Sequence, residues 1–135
     1  MKMKLLNAVI LPSFAICILL QSCCISAKEE YLGNNLYLSE FDVRDRIIIY
    51  QEGSCAGSGI TIIPRTVTKI GYNSNWIVAT SKRNTDISYW IIKNYYPTIP
   101  DAITIKSNTY GPLSLPEFNK LKLKESIDLA LDDIE

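Results

Sequence analysis

Apolar residues follow three different rhythms along this chain. Met1-Lys-Met-Lys4 is basic, and Leu5 to Leu20 is then mostly apolar, interrupted by Asn7, Pro12 and Ser13. A membrane-spanning helix needs about 20 continuous apolar residues, so this run is short and broken for that purpose. A positive start, an apolar middle and a small-residue end match a secretory signal over residues 1–22. Residues 23–33 read as a flexible tether, and residues 34–135 as a single domain.

Beyond the tether the period becomes two. Asn35 to Phe41 alternates, with Leu36 and Leu38 on one side and Tyr37, Ser39 and Phe41 on the other, which predicts a strand. A polar turn at Asp42–Asp45 leads into the β-branched run Arg46–Tyr50, the expected antiparallel partner. Glycines at 53, 57 and 59 mark a permissive loop. This loop lacks the Gly-Lys-Ser/Thr ending of a phosphate-binding loop, and strand residues follow it rather than a helix. Ile60–Ile63 is a short strand ended by Pro64. Thr66–Tyr72 is another, with an ambiguous register because Val67 and Lys69 alternate against Thr68 and Ile70. A turn at Asn73–Asn75, a strand at Trp76–Thr80, a turn at Lys82–Asp86 and a strand at Ile87–Lys93 complete an antiparallel meander.

The third rhythm is helical. Pro97 and Pro100 exclude a central strand, and Ala102–Lys106 reads as a short edge strand followed by a turn at Tyr110–Leu113. Ser114-Leu-Pro-Glu117 has the form of a capping box with proline in the first turn. The spacing predicts a helix from there to about Asp132. Its apolar stripe of Phe118, Leu121, Leu123, Ile127, Ala130 and Ile134 should pack on one face of the sheet. Acids at its end oppose the helix dipole and favour fraying. The expected fold class is α+β: a meander of five to six strands against one C-terminal helix.

Composition narrows the chemistry. The chain has 135 residues and no histidine. That removes Ser-His-Asp and Cys-His nucleophiles, imidazole zinc sites and histidine pH switches. Without Lys2 and Lys4, which leave with the signal, 12 basic and 14 acidic side chains remain. Nucleic acid is therefore not an expected partner. No cofactor or metal is expected, and no catalytic residue stands out. Asp42, Asp45, Asp86 and Asp101 lie in turns, where aspartate is favoured for backbone capping. Asp128, Asp132 and Asp133 would share a helix face but lack a calcium-loop pattern.

Leu20-Gln21-Ser22-Cys23 resembles the lipobox of bacterial lipoproteins, with Leu20 at −3, Ser22 at −1 and Cys23 at +1. The resemblance implies diacylglyceryl transfer to the Cys23 thiol and cleavage between Ser22 and Cys23. Modification at Cys24, ordinary cleavage after Ala27 and an uncleaved anchor are the competing readings. Lys28-Glu29-Glu30 looks like a surface-export signal of some lipoproteins, or else is a solvated spacer. An exported compartment permits a disulfide between Cys24 and Cys55. Such a bridge closes a loop of about 30 residues and contributes roughly 3 kcal/mol; a buried or loop thiol at Cys55 is the alternative.

Further along, Ile62-Ile-Pro64 with Val67 and Ile70 comes first, followed by Trp76-Ile-Val78 and Tyr89-Trp-Ile-Ile92. Tyr110-Gly-Pro-Leu-Ser114 with Glu117-Phe118 completes the order. This order resembles a domain-of-unknown-function family of small bacterial lipoproteins. The resemblance implies a lipidated β-rich domain with a C-terminal helix, and no activity.

The expected role is a non-enzymatic binding module, exported and lipid-anchored at the cell membrane or outer membrane, with a protein partner in the envelope. Trp90, Tyr95, Tyr96 and Tyr110 are the candidate interaction surface, unless they pack sheet against helix. Two other classes stay open. An inhibitor or immunity protein against a foreign hydrolase or toxin would need a protruding loop, at Gly53–Gly59 or Tyr95–Asp101. An enzyme would have to use carboxylates alone.

Overall fold

The computed structural model describes residues 27–42, 44–56, 59–64 and 66–135. Two antiparallel sheets stack face to face. The first, in order β1-β2-β3-β4, comprises β1 (Lys28–Gly33), β2 (Leu36–Asp42), β3 (Asp45–Tyr50) and β4 (Ile60–Ile63). The second comprises β5 (Val67–Tyr72), β6 (Trp76–Arg83), β7 (Asp86–Lys93), β8 (Thr109–Leu113) and β9 (Asp132–Asp133). Its order is β8-β7-β6-β5-β9. Helix α1 (Ala102–Ser107) lies in the β7–β8 connection, and helix α2 (Leu115–Lys124) follows β8. This is an α+β fold, mostly β with a C-terminal helix.

The main core lies between the sheets. Alternation points Leu36, Leu38, Ile48 and Tyr50 inward from the first sheet, and Ile77, Ala79, Trp90 and Ile92 inward from the second. The second sheet is also covered outside. Val78 and Ile91 pack there with Phe118 of α2 and with Ile127, and Leu121, Leu129 and Leu131 flank them. A sheet buried on both faces explains why its central strands are apolar at consecutive positions. The ambiguous Thr66–Tyr72 segment resolves through a bulge between Val67 and Lys69, which turns both Val67 and Ile70 to the core.

Four expectations are corrected. Lys28–Gly33, read as tether, is strand β1, paired with β2 through the two-residue turn Asn34-Asn35. Both asparagines have left-handed φ values of 50° and 62°, as the tight hairpin turn requires. Ala102–Ser107 is helix rather than edge strand: Asp101 Oδ1 accepts from the Thr104 amide at 2.8 Å, and Ala102 and Ile105 on one side of the turn are buried. Tyr110–Leu113 belongs to β8, whose place at the sheet edge tolerates Pro112.

The fourth correction concerns α2, which ends at Lys124 instead of near Asp132. Ser126 takes a left-handed φ of 54°, its amide donates to Leu123 O, and the Ile127 amide donates to Lys122 O at 2.8 Å. That is a Schellman stop, with Ile127 and Leu121 supplying its apolar contact. The stripe therefore divides. Phe118 is buried, Leu123 is 83% exposed, and Ile134 reaches the core between the sheets. The chain after α2 runs over the second sheet and pairs Asp132 and Asp133 with β5.

The tail passes so close to β5 that a Cβ on Gly71 would stand 2.0 Å from Ala130 O. Gly71→Ala should therefore displace the tail and lower stability by about 1–3 kcal/mol in urea unfolding. An unchanged midpoint would show that the tail does not lie there.

Candidate functional site

At one end of the sandwich three polar segments meet: the β1–β2 turn, the β5–β6 turn and the exit of β7. Asn94 sits among them and is buried. Its Nδ2 donates to Leu32 O at 2.8 Å and to Asn73 O at 3.0 Å. Its backbone amide donates to Asn75 O at 2.8 Å. Asn34 Nδ2 donates to Asn94 O at 2.6 Å and to Asn94 Oδ1 at 2.9 Å. Every polar atom of Asn94 is thus paired, and the pairs cross from one sheet to the other. Gly33, at φ +106°, makes room for it; a Cβ there would lie 3.0 Å from Asn94 Nδ2.

Shallow hollows flank this junction. One is lined by Tyr31, Asn34, Tyr72, Asn73 and Asn94 among others, and the next by Asn75, Trp76, Lys93 and Tyr95. The β5–β6 turn that separates them is held by Asn73 Oδ1, which accepts from the amides of Asn75 and Trp76. Tyr95, 64% exposed, projects from the proline-containing loop, while Lys93 Nζ lies 5.5 Å from the Tyr96 ring centroid. Flat aromatic faces beside amide side chains offer stacking surface and hydrogen bonds together. Nothing in this arrangement supplies a nucleophile with an adjacent base.

The expected surface residues are partly separated. Tyr95 is on the surface and Tyr110 on edge strand β8 is 40% exposed. Tyr96 is half-buried against the core, and burial raises its phenol above the ordinary tyrosine range, with Tyr110 adding to the shift. Trp90 does not belong to the surface. It is buried between the sheets, its indole N–H donates to Ser81 Oγ at 2.8 Å, and Gly111 lies against its ring. Trp76, Lys93 and the asparagines replace it. Their signal in the sequence is the concentration of asparagine at 73, 75 and 94 next to aromatic neighbours.

Glu30, Glu40, Asp132, Asp133 and Glu135 line one hollow together with Lys28. Asp101 and Glu117 are held below the ordinary carboxylate range by hydrogen bonds from the Thr104 and Ser114 backbones respectively, each as part of a helix cap. Asp128, Asp132 and Asp133, expected on one helix face, lie in the tail and in β9 instead. Among the described residues no three cysteine or carboxylate side chains come together as a metal site. No helix among them is long and apolar enough to cross a membrane.

The described first part of the Gly53–Gly59 loop, at Ser54 and Cys55, is tied to β1. Glu29 Oε2 accepts from the Cys55 amide at 3.0 Å and from Ser54 Oγ at 3.3 Å, and Glu29 Oε1 accepts from Gln51 Nε2 at 3.0 Å. Cys55 is disulfide-bonded. Ser22, Cys23 and Cys24 lie outside the described residues.

Residues 33–135 match the family model described as Protein of unknown function (DUF3997), and the chain belongs to that family. No curated protein and no solved structure matches it.

Tyr72, which lines the first hollow, donates to Glu30 Oε1 at 2.5 Å across the two sheets. That hydrogen bond, with burial and the Glu30 charge, raises the phenol above its ordinary value of 10.0. A raised folded value means that the bond's contribution is complete below pH 10 or so and is lost as pH climbs through the folded value. In an alkaline titration followed by tyrosine absorbance, the difference between wild type and Tyr72→Phe should have its midpoint above 10. A midpoint at or below 10 would remove the cross-sheet bond from the account.

Proposed function

We propose that this member of the DUF3997 family is an exported lipoprotein. In this reading, lipid on Cys23 anchors it at the cell membrane or outer membrane, facing the periplasm or exterior, and the folded domain is a non-enzymatic binding module. The observation that carries the reading is Leu20-Gln21-Ser22-Cys23 placed after a basic start and an apolar stretch. Several acyl chains, each methylene contributing about 0.8 kcal/mol, hold such a domain durably on a bilayer.

The binding role is supported by the asparagine and aromatic end. Strand β1 begins at Lys28 and reaches that end only at Gly33, so about 16 Å of strand separates the tether from Asn34. Tyr95, Trp76 and Lys93 around one hollow offer a stacking and hydrogen-bonding face to an envelope protein.

A second reading, an inhibitor or immunity protein, draws on the Tyr95–Asp101 loop. Tyr95 and Ile99 are 64% and 61% exposed there, on a segment stiffened by Pro97 and Pro100.

In a bacterial host fed labelled palmitate, the wild-type chain should be labelled and membrane-bound, and Cys23→Ala should be unlabelled with its signal retained. A labelled Cys23→Ala protein, or an unlabelled wild type, would contradict the anchor. For the surface, Tyr95→Ala with Trp76→Ala should weaken capture of an envelope partner by about tenfold or more, as truncation of aromatic anchors does. Equal capture by the folded double variant would move the interface elsewhere.

A further inference from the structure

We propose that the hollow around Trp76, Lys93 and Tyr95 takes an extended acidic segment of a protein partner. Its carboxylate meets the Lys93 ammonium, and an apolar side chain two residues away lies on the aromatic rings. This assignment rests on the reading of that end as a binding face, and it adds the chemistry of what binds there.

Two strands and a loop supply the residues. Trp76 and Lys93 stand directly opposite each other on β6 and β7, which sets their Cβ atoms about 5 Å apart. Asn94 turns inward and is buried, so Tyr95 returns to the side of Lys93, and all three residues line the hollow with Asn75. At most about 7 Å of chain separates Lys93 from Tyr95. Alternate side chains of an extended strand have the same spacing, about 7 Å. A partner segment lying along the exit of β7 therefore meets the ammonium with one side chain and the Tyr95 ring with the next on that face.

The surroundings of Lys93 set the charge of the occupant. Among the described residues Lys93 pairs with no carboxylate, whereas Arg46, Lys69 and Lys124 each pair with one. Its Nζ lies instead 5.5 Å from the Tyr96 ring centroid, a contact that attracts the ammonium without neutralising it. No acid among the described residues lines this hollow or the one across the β5–β6 turn. The acids gather in a different hollow, with Lys28 and the β9 segment. An unpaired cation already held beside an aromatic ring receives a carboxylate with little further ordering. The same charge repels a basic segment, so it selects between partners. The Asn75 side-chain amide has no hydrogen-bond partner among the described residues. Its donors and acceptor are left for the backbone of the incoming segment.

The test uses the full chain in detergent as bait for a phage library of random peptides. Wild type should enrich peptides with Asp or Glu two residues from an aromatic or branched aliphatic residue, and their binding should weaken as salt rises. Lys93→Glu should weaken an enriched acidic peptide by about tenfold or more and should itself select Lys or Arg at the acidic position. Lys93→Met, which keeps the length and apolar stem of the side chain, should lose the charge preference and keep the apolar one. Acidic peptides that bind Lys93→Glu as well as wild type would overturn the proposal. Wild-type peptides that need Trp76 and Tyr95 but carry no acid would overturn it too, and would leave the aromatic face standing as a binding surface. Failure of wild type to select any peptide that needs Trp76 and Tyr95 would overturn the binding face and this occupant together.

Discussion

The two sheets of this domain are held at one end by a single buried amide. Asn94 directly follows β7, yet it donates to Leu32 O in the first sheet and to Asn73 O in the β5–β6 turn, and Asn34 closes the ring from the β1–β2 turn. Such a network is stabilising when every member is paired and costly when one is missing, because the low dielectric that strengthens each bond also penalises an orphan. It explains three local features at once. Gly33 must lack a side chain where Asn94 approaches. Asn34 and Asn35 must accept left-handed backbone. The β7–β8 connection must leave its strand at Asn94 and not continue it. The Tyr72–Glu30 bond also joins the two sheets, and the largely buried Arg46–Glu40 pair at 3.3 Å links β2 to β3 within the first.

Most of the strands were legible because period two is hard to imitate by chance over several residues. Trp90 and Ile92 alternate against Tyr89 and Ile91, and the two sets do face different cores. What alternation does not tell is that both faces of a strand are covered. Trp90 therefore looked like a surface aromatic until α2 and the tail were seen to occupy the other side of its sheet. Short elements failed for a different reason. Ile103, Thr104 and Ile105 have the β-branching of a strand, but Asp101 caps the turn and Ile105 is drawn into the core, so tertiary burial overrides propensity. Gly33-Asn34-Asn35 between apolar flanks was a readable hairpin signal, obscured by its closeness to the apolar N-terminal run. The end of α2 was less readable, since serine, not glycine, takes the left-handed stop.

Of the residues singled out in the sequence, Tyr95 and Tyr110 are exposed and Trp90 is buried, whereas Trp76, Lys93 and the asparagines come together only because β5–β7 terminate at one end. The loop with three glycines shows the limit of composition. Glycine permits mobility, but one carboxylate from β1 and a disulfide at Cys55 hold the described first part of this loop. A domain whose aromatic and amide groups are already held in place presents them without the entropy cost of ordering them on contact.

The most direct measurement is urea unfolding of Asn94→Ala beside Asn34→Ala and the wild type. Removing Asn94's side chain leaves Leu32 O, Asn73 O and the Asn34 amide group without it, so a loss of about 3 kcal/mol or more is expected. The Asn34 change removes fewer bonds and should cost about 1 kcal/mol. A loss below about 1 kcal/mol for Asn94→Ala would mean that water or apolar packing, and not this amide, joins the sheets.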